Sequence, residues 1–157
     1  QIVDRTPMVD TARISMRRLR LDIRGGGNRT ALELLDEAQG ALDHPSARES
    51  GAVSVLVTLR ECLNTVLSEL LRRRPKQETA PRAYDKVITM GGQCGRPGLL
   101  PDHFIRLGGE AGELLDRLSA AKQANMSRER MMELFHEGLL FLNALMDSID
   151  ENRLRPV

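Results

Sequence analysis

The longest apolar period in the first half of the chain lies in residues 53–70, VSVLVTLRECLNTVLSEL. The main set recurs at helical spacing and comprises Val53, Leu56, Leu63, Leu67 and Leu70, with Val55, Leu59, Cys62 and Val66 beside it. So wide an apolar stripe predicts a central helix with neighbours on two sides. Arg72–Arg74 and Pro75 would end this helix, because cations suit the negative end of a helix dipole and proline does not continue a helix.

Shorter segments on either side show the same helical spacing. Helices are predicted to begin at Asp10, Thr30, Ser46, Pro81, Asp102 and Ser127. Thr30–Glu33 and Ser46–Glu49 have the form of a capping box, in which side chains accept the first unpaired backbone N–H groups of a helix. Residues 81–90 favour a helix, with a brief strand at residues 87–89 as the alternative, and residues 91–98, GGQCGRPG, predict a loop.

These segments together predict an all-α fold, an antiparallel bundle of four to five helices with a short mixed segment and a Gly-rich loop in the middle. Residues 1–9, which contain Pro7 and no helical period, are interpreted as a tail, and residues 10–157 as a single helical bundle domain. Leu63, Leu67, Phe135 and Leu142 are expected at the centre of the core.

The composition is that of one soluble globular domain. The chain has 157 residues, of which 41% are hydrophobic and 29% charged, with a net charge of +1. No apolar run approaches the roughly 18 residues of a membrane-spanning helix, so we expect no membrane contact and a cytoplasmic location. Cys62 and Cys94 form no CxxC pair and the three histidines have no mutual spacing suited to a metal, so neither a metal site nor a cofactor is predicted.

Glycines in residues 91–98 invite comparison with phosphate-binding loops. Neither G-x-x-x-x-G-K-[ST] nor G-x-G-x-x-G after a strand is present, so this stretch predicts a crossing between two helices.

An arginine series occupies the predicted first helix. Its members are Arg13, Arg17, Arg20 and Arg24, at steps of four, three and four. On a helix they would form one basic ridge, which suits phosphate groups, so contact with nucleic acid is one hypothesis. The alternative, which we favour, is charge pairing within the chain or between two copies. The matching acidic series on the last predicted helix is Glu129, Glu133 and Glu137.

The stretch RMMELFH joins Arg130 and His136 near the start of the last predicted helix. It resembles the R-x(4-6)-H motif of the HEPN family of small helical bundles, many of which are ribonucleases. The resemblance implies a dimer that cleaves RNA without a metal. Arg130 and His136 would then be catalytic: histidine would assist proton transfer, and arginine would stabilise the charge on the phosphorane.

The last helix is apolar over most of its circumference, with four consecutive large residues at 139–142. Part of this surface is expected to meet a partner, and the candidate interface residues are Leu139, Phe141, Glu129, Glu133 and Glu137. We therefore interpret the chain as a non-enzymatic helical interaction module, either a homo-oligomer or a subunit of a larger intracellular bacterial assembly. The alternative is the HEPN-like metal-independent ribonuclease or toxin, or an accessory subunit that contacts nucleic acid.

Overall fold

The wide apolar stripe lies on the longest described helix of the structure, a computed structural model that describes residues 6–24, 29–43, 49–75, 80, 82–121 and 126–157. For residues 49–53 only the backbone is described. The helices are α1 (Thr6–Arg18), α2 (Ala31–Asp43), α3 (Glu49–Arg72), α4 (Ala83–Cys94), α5 (Pro101–Ala120) and α6 (Arg128–Asp147), followed by a 3₁₀ helix (Glu151–Arg153). These residues contain no strand beyond an isolated bridge between Gly95 and Ile149, which confirms the all-α prediction.

Helices α3 and α6 contact most of the other helices. Helix α6 packs against α1, α3 and α5, whereas α3 also packs against α2, α4 and α5. Helix α4 packs most extensively on α5, and α2 on α3. Helices α5 and α6 run in opposite directions, because His103 and Ser148 meet at one end of the pair and Arg117 and Glu137 at the other.

All six helices contribute buried apolar residues to one core. Leu63 and Leu67 of α3 are 1% exposed, and Phe135 and Leu142 of α6 are fully buried, which confirms the predicted centre of the core. Gly138 lets α3 and α6 approach closely, because a Cβ atom there would lie 2.8 Å from Leu59 Cδ2.

Two predicted helix caps are present in the structure. Thr30 Oγ1 accepts the Glu33 backbone N–H at 3.1 Å, and Ser127 Oγ accepts that of Arg130 at 3.1 Å. The predicted cap at Asp102 is wrong. Helix α5 begins one residue earlier, at Pro101, whose fixed φ suits a first helical position. The capping box that begins at Ser46 lies largely outside the described residues.

Helix α1 differs from its prediction at both ends. It begins at Thr6 rather than Asp10, so residues 6–9 are not a tail, and it ends at Arg18. The Arg20 backbone is left-handed, with φ 58°. The Leu21 N–H bonds Met16 C=O at 2.7 Å and the Arg20 N–H bonds Arg17 C=O at 3.1 Å, which is the Schellman motif of a helix C-terminus.

The Gly-rich loop is shorter than predicted, because α4 continues through Cys94 and includes Gly91 and Gly92. Gly91 permits the close packing of α4 on α5: a Cβ atom there would overlap the Phe104 ring, and one at Gly95 would lie 2.8 Å from Phe104 Cζ. Helix α4 ends where the chain turns toward α5, and Gly98, with φ 91°, takes the left-handed conformation in that turn.

The C-terminal segment crosses the ends of α3 and α4. The Asp150 backbone N–H donates to Cys94 C=O at 2.8 Å, and that of Arg155 donates to Arg73 C=O at 2.7 Å. Arg73 is 4% exposed and its Nη1 donates to Leu19 C=O at 2.5 Å. Burial and the neighbouring Arg72 lower the pKa of this guanidinium. Arg73 thus joins α1, α3 and the C-terminal segment.

Candidate docking surface

The arginine series does not form a single ridge. Only Arg13 and Arg17 lie on α1, while Arg20 and Arg24 follow its end. Arg13 Nε donates to Asp36 of α2 at 2.7 Å, and its Nη1 lies 3.3 Å from Asp10. The predicted continuous ridge is wrong because α1 ends at Arg18 and the left-handed Arg20 backbone turns the chain. Leu19 and Leu21, on either side of this turn, are both buried.

The acidic series on α6 pairs with neighbours other than those predicted. Glu133 pairs with Arg130 at 3.0 Å, and Glu137 with Arg117 of α5 at 3.1 Å. Glu129 is exposed. In the described part of the chain no ion pair joins this series to the arginines of the first helix, so pairing between the two series within one chain is wrong.

Arg130 and His136 both lie on α6. The Arg130 guanidinium pairs with Glu133, and the buried Nδ1 atom of the half-buried His136 has no hydrogen-bond partner among the described residues. Within the described ranges no hydrogen bond joins the two side chains.

Leu139 and Phe141 are buried inside the chain, at 0% and 4% exposure, so their prediction as interface residues is wrong. Between them, Leu140 is 52% exposed. Helices α1, α3 and α5 pack against α6, and within the described residues most exposed positions of α6 lie on the side opposite Gly138, which faces α3.

A hollow of about 400 Å³ opens where α4 turns into α5, and we call it the α4–α5 hollow. It is lined by Ile88, Gly91, Gly92, Gly95, Arg96, Pro97, Gly98, Leu99, Pro101, Phe104, Ile105 and Arg153. The Phe104 ring packs against the bare backbone of Gly91 and Gly95, and His103 contacts this ring edge-on with centroids 5.1 Å apart. The shape of the hollow therefore depends on the two glycines.

Large apolar side chains lie at this hollow. Leu99 and Ile105, which line it, are 38% and 45% exposed, and Leu100, between the lining residues Leu99 and Pro101, is 70% exposed. Three such residues within seven positions leave apolar surface in water that a partner would remove.

Two guanidinium groups supply the charge of the hollow. Arg96 Nη2 lies 3.9 Å from Asp147 Oδ1, a long ion pair. Arg153 has no carboxylate within ion-pair distance among the residues that the structure describes. The hollow is therefore apolar with a cationic edge.

Cys94 lies at the end of α4 but does not line the hollow. Its Sγ donates to Arg153 C=O at 3.7 Å. Burial raises the pKa of this thiol, and the charges of Arg153 and Arg74 oppose the rise only in part. Nucleophilic cysteines have the reverse pKa shift, so the arrangement favours a structural thiol.

A second, shallower groove of about 450 Å³ lies between α5 and α6. It is lined by Glu110, Leu114, Arg117, Glu137, Leu140, Phe141 and Ala144. Its edge carries the exposed Leu140 beside the Arg117–Glu137 ion pair.

In the described residues, no cluster of three or more histidine, cysteine or acidic side chains is arranged to hold a metal ion. None of the helices in the described ranges combines the length and apolar character required to span a membrane.

Comparisons with models of protein families, with curated proteins and with solved structures gave no match to this chain.

Sequence reasoning missed the α4–α5 hollow. The available signal was the spacing of Gly91 and Gly95, four residues apart, which places both on one side of a helix. Such a pair is typical of a close helix approach as well as of a loop.

Proposed function

We propose that this chain is a non-enzymatic helical interaction module, an antiparallel bundle that binds a protein partner at the α4–α5 hollow. One observation carries the proposal: exposed Leu99 and Ile105 line an apolar hollow, with exposed Leu100 between two lining residues and, at the edge, an Arg153 that has no ion pair within the described residues. An apolar side chain of the partner would enter the hollow, and a nearby carboxylate would meet the guanidinium. Such a site has a buried apolar anchor and a polar rim.

The energetic argument rests on the removal of apolar surface from water. Each apolar square ångström buried contributes roughly 25 cal/mol before the costs of association. Ile105 lies on α5 and Leu100 directly precedes this helix, so both are already held in an ordered backbone. Little further backbone ordering would therefore accompany binding.

Site-specific photo-crosslinking in the cells that naturally make the chain tests this function. Benzoylphenylalanine at position 100 should give a discrete crosslinked product, which mass spectrometry then identifies. The matched control is position 68, because Ser68 is an exposed residue on α3, a helix that contributes no residue to the α4–α5 hollow. Ile105→Glu should abolish the product from position 100. Equal products from both positions, or none from position 100, would contradict the proposal.

The ribonuclease hypothesis predicts a different result. His136→Ala would then abolish RNA cleavage while the circular dichroism spectrum stays unchanged. The interaction module predicts no RNA cleavage that depends on His136, and a purified chain that cleaves RNA in this way would overturn it.

A further inference from the structure

Building on the proposed docking function, we infer that the partner at the α4–α5 hollow is a second copy of this chain, which inserts Leu140. Two features on the surface of one molecule support this inference. One is the apolar hollow with Arg96 and Arg153 at its edge, and the other is the exposed Leu140 on a helix side that carries carboxylates.

The exposed side of α6 forms an acidic stripe with an apolar centre, which we call the α6 stripe. Its members are Glu133, Glu137, Leu140, Ala144 and Asp147, at steps of four and three. The stripe faces away from α3, because Gly138 faces Leu59 on the opposite side of the helix. Leu140 is 52% exposed, and the Asp147 side chain is 84% exposed.

The hollow has the complementary chemistry. Phe104 and Ile105 offer an apolar surface, while Arg96 and Arg153 lie at the edge. Placing Leu140 in the hollow would bring the exposed carboxylate of Asp147 near these guanidinium groups, while Glu133 and Glu137 keep their ion pairs with Arg130 and Arg117. Arg153, without an ion pair in the described chain, would gain a partner, and Arg96 would exchange its long contact with Asp147 for a closer one.

The hollow and the α6 stripe lie on one connected surface. Arg96 lines the hollow and is also 3.9 Å from Asp147, the last residue of the stripe. In a dimer with two-fold symmetry, each copy would insert its Leu140 into the hollow of the other copy. This is the arrangement of an isologous dimer. A stable interface buries about 800 Å² per partner, about a tenth of the 8583 Å² surface of this chain.

Sedimentation velocity of the purified chain over a concentration series tests this inference. We expect a reversible dimer. Leu140→Asp should raise its dissociation constant at least about tenfold, since it places a carboxylate in the apolar anchor position. Ile14→Asp is the control for a carboxylate at an exposed apolar position: Ile14 is 66% exposed on α1, a helix that contributes no residue to the hollow or to the α6 stripe, and this variant should dimerise like the parent chain.

In the proposed dimer Arg153 of one copy faces Asp147 of the other, and a charge exchange tests this pairing. Arg153→Glu should weaken the dimer, Asp147→Arg should weaken it as well, and the double variant should recover affinity because opposite charges face each other again. Circular dichroism confirms that each variant is folded. A dimer that is insensitive to Leu140→Asp, or a double variant no better than the single ones, would overturn the inference.

Failure of this inference is distinguishable from failure of the proposed function. A chain that stays monomeric in solution overturns self-association. If benzoylphenylalanine at position 100 nevertheless crosslinks to another protein, the docking function stands with a different partner. If neither result is obtained, both proposals fail.

Discussion

Arg73 and Arg155 hold each other by two hydrogen bonds. The Arg155 backbone N–H donates to Arg73 C=O at 2.7 Å, and Arg73 Nε donates to Arg155 C=O at 3.0 Å. The same guanidinium reaches Leu19 C=O, so one side chain fixes the end of α1 and the C-terminal segment against α3. The C-terminal segment in turn carries Arg153 at the edge of the α4–α5 hollow.

Arg73→Met should lower the free energy of unfolding by about 1–3 kcal/mol. The substitution leaves the carbonyls of Leu19 and Arg155 without their donor, and each such loss costs about 1–3 kcal/mol. Removing a buried charge offsets part of this cost. The control is Arg72→Met: Arg72 pairs with Glu69 at 2.9 Å on the surface, and its loss should cost less than about 1 kcal/mol. Urea denaturation measures both variants, and equal effects would contradict the special role of Arg73.

Gly91→Ala should lower the free energy of unfolding by about 1–3 kcal/mol, because the new Cβ atom would overlap the Phe104 ring. Gly92→Ala is the control on the same helix. Nothing lies within 4 Å of its Cβ position, so alanine should raise stability there by about 0.5–1 kcal/mol. In a Phe104→Leu background the cost of Gly91→Ala should shrink. If Gly91→Ala destabilises the Phe104→Leu background as much as the parent chain, overlap with the Phe104 ring is not the cause of the destabilisation.

Arg20→Gly should raise the free energy of unfolding by about 0.5–1 kcal/mol. Arg20 has φ 58°, a conformation that costs non-glycine residues roughly 1–2 kcal/mol. Glycine removes this cost, but its greater conformational freedom in the unfolded chain offsets part of the stabilisation. The charge of Arg20 also disfavours the protonated Arg73. Arg17→Gly, inside the helix, should instead lower stability by about 1 kcal/mol. If thermal unfolding shows that both glycines destabilise equally, the Schellman motif does not carry this strain.

Helical periodicity predicted the helices and the core. Residues buried on one face of a helix recur every three or four positions, so the sequence shows them directly. Phe135 and Leu142 are seven residues apart on α6, and both are fully buried. The caps at Thr30 and Ser127 were predictable for a similar reason, since a hydroxyl oxygen satisfies a local N–H and needs no distant residue.

Helix ends and the exposed positions were harder to predict, because distant parts of the chain decide them. Four consecutive apolar residues at 139–142 give no sign of which one faces solvent. The position of α1, α3 and α5 around α6 leaves Leu140 exposed and buries Leu139 and Phe141. Gly91 was likewise predicted in a loop. The sequence alone does not distinguish a glycine that permits close helix packing from one that permits a turn.

The proposed docking surface lies elsewhere than the sequence predicts. An apolar patch that meets a partner was expected on the last helix, whereas the exposed Leu99 and Ile105 line the α4–α5 hollow. That hollow brings together residues of α4, α5 and the 3₁₀ helix, and no local spacing relates Ile88 to Arg153.

Cys62 should make the stability of the chain depend on pH in the alkaline range. Burial, and secondarily the charge of Asp36, raises the pKa of this thiol from 9.0 to about 12, and its Sγ donates to Ala31 C=O at 3.4 Å. The folded chain therefore keeps a proton that the unfolded chain loses. The contribution is fully present below pH 9 and is lost as the pH rises from 9 towards 12.

Urea denaturation of the parent chain and of Cys62→Ala across this pH range measures the effect. The free energy of unfolding should fall more steeply in the parent, by a slope equivalent to about one proton, because all other titratable groups are common to both proteins. Cys94→Ala provides a second comparison, since burial raises the pKa of that thiol as well. In the native chain a thiol reagent should label Cys62 slowly, and full labelling should follow unfolding. Parallel pH profiles for the parent and Cys62→Ala, with fast labelling of native Cys62, would show that the thiol is accessible to water and that its burial between α2 and α3 is wrong.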